Sequence, residues 1–258
     1  MTSGRGLTVG PDNPSTDNPS TARPSTFGLF DIIGDVHGCH EELAELLGGL
    51  GYVAAGGRGG PRHPGGRRAV FVGDLVNRGP ATPYVLRLAM SMVASGNAAC
   101  VQGNHDLTLL EALRARGVLP LGAASRSLPA PGTVEEALSH GLAESLEQLE
   151  GEPPGFLARV AGFLEGLASH LVLDGGDLVV AHAGAPPELG GHVAPGTVVV
   201  YGHTPVASPA WAGGTICIDT GCVYGGRLTA LRYPERELVS VAARKIYWVP
   251  AHLRGPRL

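Results

Sequence analysis

Six short stretches place a carboxylate, imidazole or amide beside glycine or at the end of an apolar run. They are Gly34-Asp35-Val36-His37-Gly38, Gly73-Asp74-Leu75-Val76-Asn77-Arg78-Gly79, Gly103-Asn104-His105-Asp106, Ala181-His182-Ala183-Gly184, Tyr201-Gly202-His203-Thr204 and Ile218-Asp219-Thr220-Gly221. The runs leading into them, 29–33, 69–72, 98–101, 178–181, 197–201 and 215–218, are short and rich in β-branched residues, as buried strands are, and a further run occupies 228–231. Helical apolar spacing fills 40–50 and 82–94, so the first half reads as strand-helix-strand units. In such an α/β layout ligands bind beyond the carboxyl ends of strands, where all six stretches fall.

A chain of 258 residues with 43% hydrophobic content can bury a full core, and its length suits one domain. Net charge of -4 argues against a strongly nucleic-acid-binding surface. Cys39, Cys100, Cys217 and Cys222 sit in or beside apolar segments without a Cys-x-x-Cys pair, which suits buried, reduced thiols. No run is long enough to cross a bilayer, and a cytoplasmic location is the expectation. Residues 1–26 are dense in Pro, Ser, Thr and Asn and read as a disordered tail, leaving 27–258 as the domain. The glycine- and arginine-rich stretch 56–68 reads as a surface loop. A helical insert at about 115–170, with a capping box at Thr133-Val134-Glu135-Glu136, either caps the site or packs on the sheet flank.

The donors form a mixed N/O set without thiolate. Asp35 and His37 lie two apart in extended chain and can share a cation, and Asp74 is placed to bridge two ions. Asn104 adds an amide oxygen, and His182 and His203 add imidazoles. Such a set suits two divalent ions, manganese first with iron or zinc admissible, better than a calcium cage. Taken singly, Asp35 could cap a helix, Asn104 a turn, and His182 could be a core histidine.

The order Gly-Asp-x-His-Gly, Gly-Asp-x-Val-x-Arg-Gly, Gly-Asn-His-Asp, His-x-Gly, Gly-His-Thr resembles the phosphoprotein phosphatase branch of the calcineurin-like metallophosphoesterases, over about residues 30–241. Within it, the stretch 200–241 is similar to the phosphatase module of bacterial polynucleotide kinase-phosphatase. The Gly103-Asn104-His105-Asp106-Leu107 stretch is similar to symmetrical diadenosine tetraphosphate hydrolase. The resemblance implies a four-layer sandwich, two mixed sheets flanked by helices. It implies Asp35, His37 and Asp74 on one metal and Asp74, Asn104, His182 and His203 on the other, with a hydroxide held by the metals attacking phosphorus. Arg78 would hold the phosphate, with Asn104 beside it, and His105 would protonate the leaving oxygen. The function it implies is hydrolysis of phosphate monoesters or phosphoanhydrides of nucleotide or nucleic-acid-end type. A serine/threonine protein phosphatase and a phosphate-binding module with weakened turnover are the alternatives. The substrate is a phosphorylated small molecule or nucleotide, and the sequence names no partner protein.

Two departures stand out. Asn77 occupies the position where protein-phosphatase members carry an aspartate, so its amide oxygen is expected to accept from His105 without stabilising the imidazolium. Phosphoanhydrides and activated esters, whose leaving groups depart without help, are therefore expected over phosphoserine. Between Ala183 and Gly202 there is no Arg or Lys where relatives carry a second phosphate-binding arginine, and Arg227 is the expected replacement. Asp106 is expected either to orient His105 or a ligand, or to cap a turn. Asp219 is expected behind His203, and Tyr224 is a candidate for substrate contact or for plain packing.

Overall fold

The computed structural model describes residues 28–54, 59–118, 138–184 and 194–250. The expected tail and the Thr133 capping box lie outside them. Two five-stranded mixed sheets result. In the first, β1 (Phe30–Ile33), β2 (Arg68–Phe71) and β3 (Ala98–Cys100) run parallel, while β9 (Arg227–Tyr233) and β10 (Glu237–Ala242) extend it antiparallel from β1. In the second, β5 (Leu178–Ala181), β6 (Val198–Tyr201) and β8 (Thr215–Cys217) run parallel, edged by β4 (His170–Leu173) and β7 (Trp211–Ala212).

Strand alternation divides the core in two. Ile32, Val70 and Val72 face Val180, Val200 and Ile216 across the sandwich. Their neighbours Ile33 and Phe71 face the other way, into a larger cluster with the helices. Burying a side chain such as Phe71 contributes about 2 kcal/mol relative to leaving it in water. Helices α1 (His40–Leu50), α2 (Thr82–Ala94), α3 (Asn104–Ala115), α4 (Ala143–Glu150) and α5 (Pro154–Glu165) all supply side chains to that cluster. Proline in the first turn of α2 and a left-handed Gly51 after α1 mark ends the sequence announces. The insert helices α4 and α5 take the flank, with Leu146, Leu149, Val160 and Leu164 buried there.

One expectation changes. Arg67, at the end of the glycine-rich stretch, is buried rather than solvated. Its guanidinium donates to Asp31 Oδ1 at 3.0 Å, to Glu235 at 2.9 and 3.0 Å, and to the carbonyls of Phe30 and Tyr233. It pins β1 to the β9–β10 turn. The reason is local: Asp31 is fully buried on β1 and needs a cation.

Candidate metal centre

Every ligand-bearing loop follows a parallel strand. Asp35 and His37 follow β1, Asp74 follows β2 and Asn104 opens α3 after β3, while His182, His203 and Asp219 follow β5, β6 and β8. Because the parallel strands of each sheet share a direction, these loops collect at one edge of the sandwich. Hydrogen bonds then tie the sheets together there. His203 N–H donates to the Asp35 carboxylate at 3.1 and 3.3 Å, and His182 Nδ1 lies 3.0 Å from Val72 O. Glycine is required at Gly202, where a Cβ would collide with the Asp35 carboxylate, and at Gly103, where it would collide with Asp74.

The backbone is strained where the donors are. Five non-glycine site residues adopt positive φ: His37 (43°), Asp74 (49°), Asn77 (70°), Arg78 (70°) and His203 (75°). Such conformations cost of order 1 kcal/mol or more each and persist when the surroundings over-determine them, as active sites do.

The donors converge on Asp74. Its Oδ2 lies 3.6 Å from His37 Nε2 and its Oδ1 3.4 Å from His182 Nε2. Asn104 Oδ1 lies 2.9 Å from His182 Nε2 and 3.0 Å from His203 Nδ1, and the two imidazole nitrogens are 3.2 Å apart. His37 and His182 each point Nδ1 at a backbone carbonyl, Val76 O at 2.8 Å and Val72 O at 3.0 Å, so that Nδ1–H donates and the Nε2 lone pair faces inward. Burial pushes both imidazoles down, with the Arg78 charge adding to it for His37. Neutral imidazole is the ligand form. Burial also pushes Asp74 up to about 7, and raises Asp35 well above the carboxylate range, helped by the Asp219 and Asp74 charges. Buried carboxylates and neutral imidazoles at these separations fit divalent cations.

Two buried groups sharing Asp74 could each hold an ion, Asp35-Asp74-His182 and His37-Asp74-His105, their donor atoms within 4.8 Å of one another. The resemblance placed Asp35 with His37. Here the His203 N–H draws the Asp35 carboxylate to the second-sheet ligands. A third close group, Cys39-Glu42-Cys222, shares no residue with these, and all four cysteines are buried and free, as expected.

Around the donors, other expectations hold or change. Arg78 Nη1 donates to His37 Nε2 at 2.8 Å, the lone pair a metal would use, so guanidinium and ion exclude each other at that atom. Its Cζ stands 5.5 Å from the Tyr224 ring centroid and 5.3 Å from that of Trp248. Trp248 carried no sequence signal, since it follows the last strand in an irregular segment. Asn77 turns its amide nitrogen, not its oxygen, to His105 Nδ1, at 3.0 Å. The same nitrogen reaches the His105 carbonyl at 3.5 Å, which favours that orientation, and Asn77 Oδ1 is buried without a partner among the described residues. Because Nδ1 accepts, the His105 proton sits on Nε2.

Asp106 does not touch the His105 ring. Its carboxylate accepts from Leu75 N–H and Gly103 N–H, both at 3.0 Å, and so caps α3 and fixes the Asp74 loop. Asp219 accepts from Gly221 N–H at 2.9 Å. Arg227 is not brought to the cluster. Its guanidinium is exposed and held by Ser240 on β10, at 2.7 Å to the hydroxyl and 3.1 Å to the carbonyl. Its position at the start of β9 gives it a cross-strand partner instead.

Comparison with known proteins settles the family. Residues 29–226 match the model of the calcineurin-like phosphoesterases. The chain belongs to that family. It is 34% identical to bis(5'-nucleosyl)-tetraphosphatase PrpE [asymmetrical] of Anoxybacillus flavithermus, over 85% of this chain and 96% of the relative. To the protein of the same name from Geobacillus thermodenitrificans it is 36% identical, over 82% and 93%. A crystal structure of a candidate diadenosine tetraphosphatase superposes with a TM-score of 0.57 at 25% identity, covering 86% of this chain and 96% of that one. This calcineurin-like phosphoesterase is therefore a hydrolase. No helix among its described residues is long and apolar enough to cross a membrane.

Proposed function

We propose that the chain hydrolyses phosphoanhydrides, dinucleoside polyphosphates first, with two divalent metals, manganese foremost. The ligands are Asp35, His37, Asp74, Asn104, His182 and His203. The observation that carries this reading is the Asp74 carboxylate, whose two oxygens face histidines of opposite sheets, at 3.6 Å for His37 and 3.4 Å for His182. Two metals in such a donor set acidify water and neutralise phosphoryl charge.

The chain's own groups do the rest. Arg78, released from His37, offers a planar fork to the phosphoryl oxygens. His105 Nε2–H donates toward the leaving oxygen, and Asn77 holds the ring in that tautomer. An amide donor at Nδ1 leaves no acceptor for a second ring proton, so His105 is a hydrogen-bond donor rather than a strong acid. A nucleotide phosphate leaves without a strong acid, and an alkoxide does not. The names of the relatives support the same substrate class. The cytoplasm, where such nucleotides are found, is the expected compartment.

The test is a side-by-side assay, under manganese, of diadenosine tetraphosphate, 3'-phosphorylated nucleotides, a phosphopeptide and para-nitrophenyl phosphate. We expect the anhydride and the aryl ester to be hydrolysed well and the phosphopeptide poorly, with Asp74→Asn abolishing every activity. Metal bound without hydrolysis of any of the four substrates would sink the enzyme reading, and a preference for the phosphopeptide would sink the substrate class.

A further inference from the structure

A cleft of about 530 Å³ is lined by residues that the proposed reaction does not use. Aromatic rings from three segments line it: His40 at the start of α1, Tyr84 on α2 and Tyr247 after β10. Tyr84 is 64% exposed, with its ring centroid 5.4 Å from that of His40. Lys245 brings its ammonium 5.4 Å from the Tyr247 ring centroid and makes no ion pair with a carboxylate among the described residues. Of the acidic residues in the wall, Glu41 is paired and Glu42 is turned inward, its Oε1 bonded and its Oε2 without a partner among the described residues. Arg244 pairs with Glu41 at 2.9 Å and with Glu45 at 3.2 Å, and Glu42 is buried.

Two chain connections join this cleft to the phosphate position. Pro80 and Ala81, which also line it, follow Arg78-Gly79 directly, so Pro80 begins within about 7 Å of Arg78 along the chain. Tyr247 precedes Trp248, the ring beside which the Arg78 guanidinium stands. The Tyr247 wall is fixed from behind. Glu42 Oε1 accepts from Tyr247 OH at 2.7 Å and from Arg244 N–H at 2.9 Å, and Val223 O accepts from the Tyr247 and Trp248 N–H groups at 3.0 Å.

A preformed slot with flat aromatic faces, one ammonium without a carboxylate partner among the described residues and the volume of a small-ligand site matches a nucleoside carrying phosphate. We propose that this cleft binds the nucleoside end of a dinucleoside polyphosphate whose scissile phosphoryl group lies at Arg78, the base stacking on Tyr84 and the adjoining phosphate facing Lys245. The inference rests on the phosphoanhydride reading above and names where the rest of that substrate goes.

Tyr84→Ala is the variant to make, because an exposed ring on a helix surface can be removed without opening the core. Inhibition of para-nitrophenyl phosphate hydrolysis by ADP and by pyrophosphate compares two ligands that differ by the nucleoside. In the unaltered protein ADP should inhibit about tenfold more tightly than pyrophosphate, the size of one stacking contact. Tyr84→Ala should erase that advantage, leave para-nitrophenyl phosphate turnover within about twofold, and raise KM for diadenosine tetraphosphate about tenfold. Equal inhibition by ADP and pyrophosphate in the unaltered protein, or an ADP advantage that survives Tyr84→Ala, overturns the proposal. A protein that hydrolyses para-nitrophenyl phosphate but not diadenosine tetraphosphate refutes the substrate reading instead, and the ADP-to-pyrophosphate ratio still decides on the cleft.

Discussion

In the proposed mechanism Asn77 controls how readily His105 takes a second ring proton, through one amide. Its nitrogen donates to Nδ1, so a second ring proton would face another N–H. Replacing it by aspartate supplies an acceptor there, stabilises the imidazolium and keeps His105 protonated, ready to donate to the leaving oxygen. Asn77→Asp should therefore raise turnover of an alkyl phosphate by about tenfold or more, within the range of general acid catalysis, and that of para-nitrophenyl phosphate far less. Steady-state kinetics on the two esters decides this, and an equal gain on both would show that His105 does not protonate the leaving group. Most donors were legible at this scale, because Asp35, His37, Asp74, Asn104 and His203 each stand beside glycine after an apolar run and His182 directly ends one. Their carbonyl partners Val72 and Val76 were not, since any residue type offers the same oxygen. Arg227 misled for a related reason: a charge in sequence does not say which neighbour will take it.

Elements were readable where burial made them. The strands leading into the site are apolar runs, and α1 and α2 begin and end where the sequence reading puts them. The strands it missed, β4, β7 and β10, are all sheet edges, half-exposed or exposed, and are made by antiparallel pairing rather than by an apolar run. The insert was open between cap and flank. Its described helices α4 and α5 pack on the flank, and residues at their start also reach the site: Ser145 Oγ accepts from Asn77 N–H at 2.9 Å and Gly141 O accepts from Arg78 N–H at 3.3 Å. Arg67 makes the corresponding link at the opposite end of β1. Arg67→Ala leaves the buried Asp31 with Arg232, at 3.1 Å, as its one cationic partner among the described residues, and should cost about 3 kcal/mol in urea unfolding. A loss below about 1 kcal/mol would show that Arg232 suffices.

Across the whole molecule, bringing two sheet edges together places carboxylates where burial raises them, Asp74 and Asp106 both to about 7. A carboxylate must lose its proton to bind metal, so protons compete with the ion below pH 7 and no longer do above it. Apparent manganese affinity should rise with pH up to about 7, by as much as about tenfold per pH unit for each proton displaced, and then level off. Calorimetry in two buffers of different ionisation enthalpy would count the released protons, and equal affinity at pH 5.5 and 7.5 would contradict the account. The sequence by itself determined the candidate donors, the strands that lead into them and the family, because those depend on residue type, glycine and local apolar spacing. Only the tertiary structure decided that Asp74 faces histidines of both sheets, that Asn77 donates rather than accepts, that Trp248 stands by Arg78 and that Tyr84 lines a cleft. Each is a contact between segments distant in the chain, fixed by how the two sheets and their helices pack, and local sequence carries no record of it.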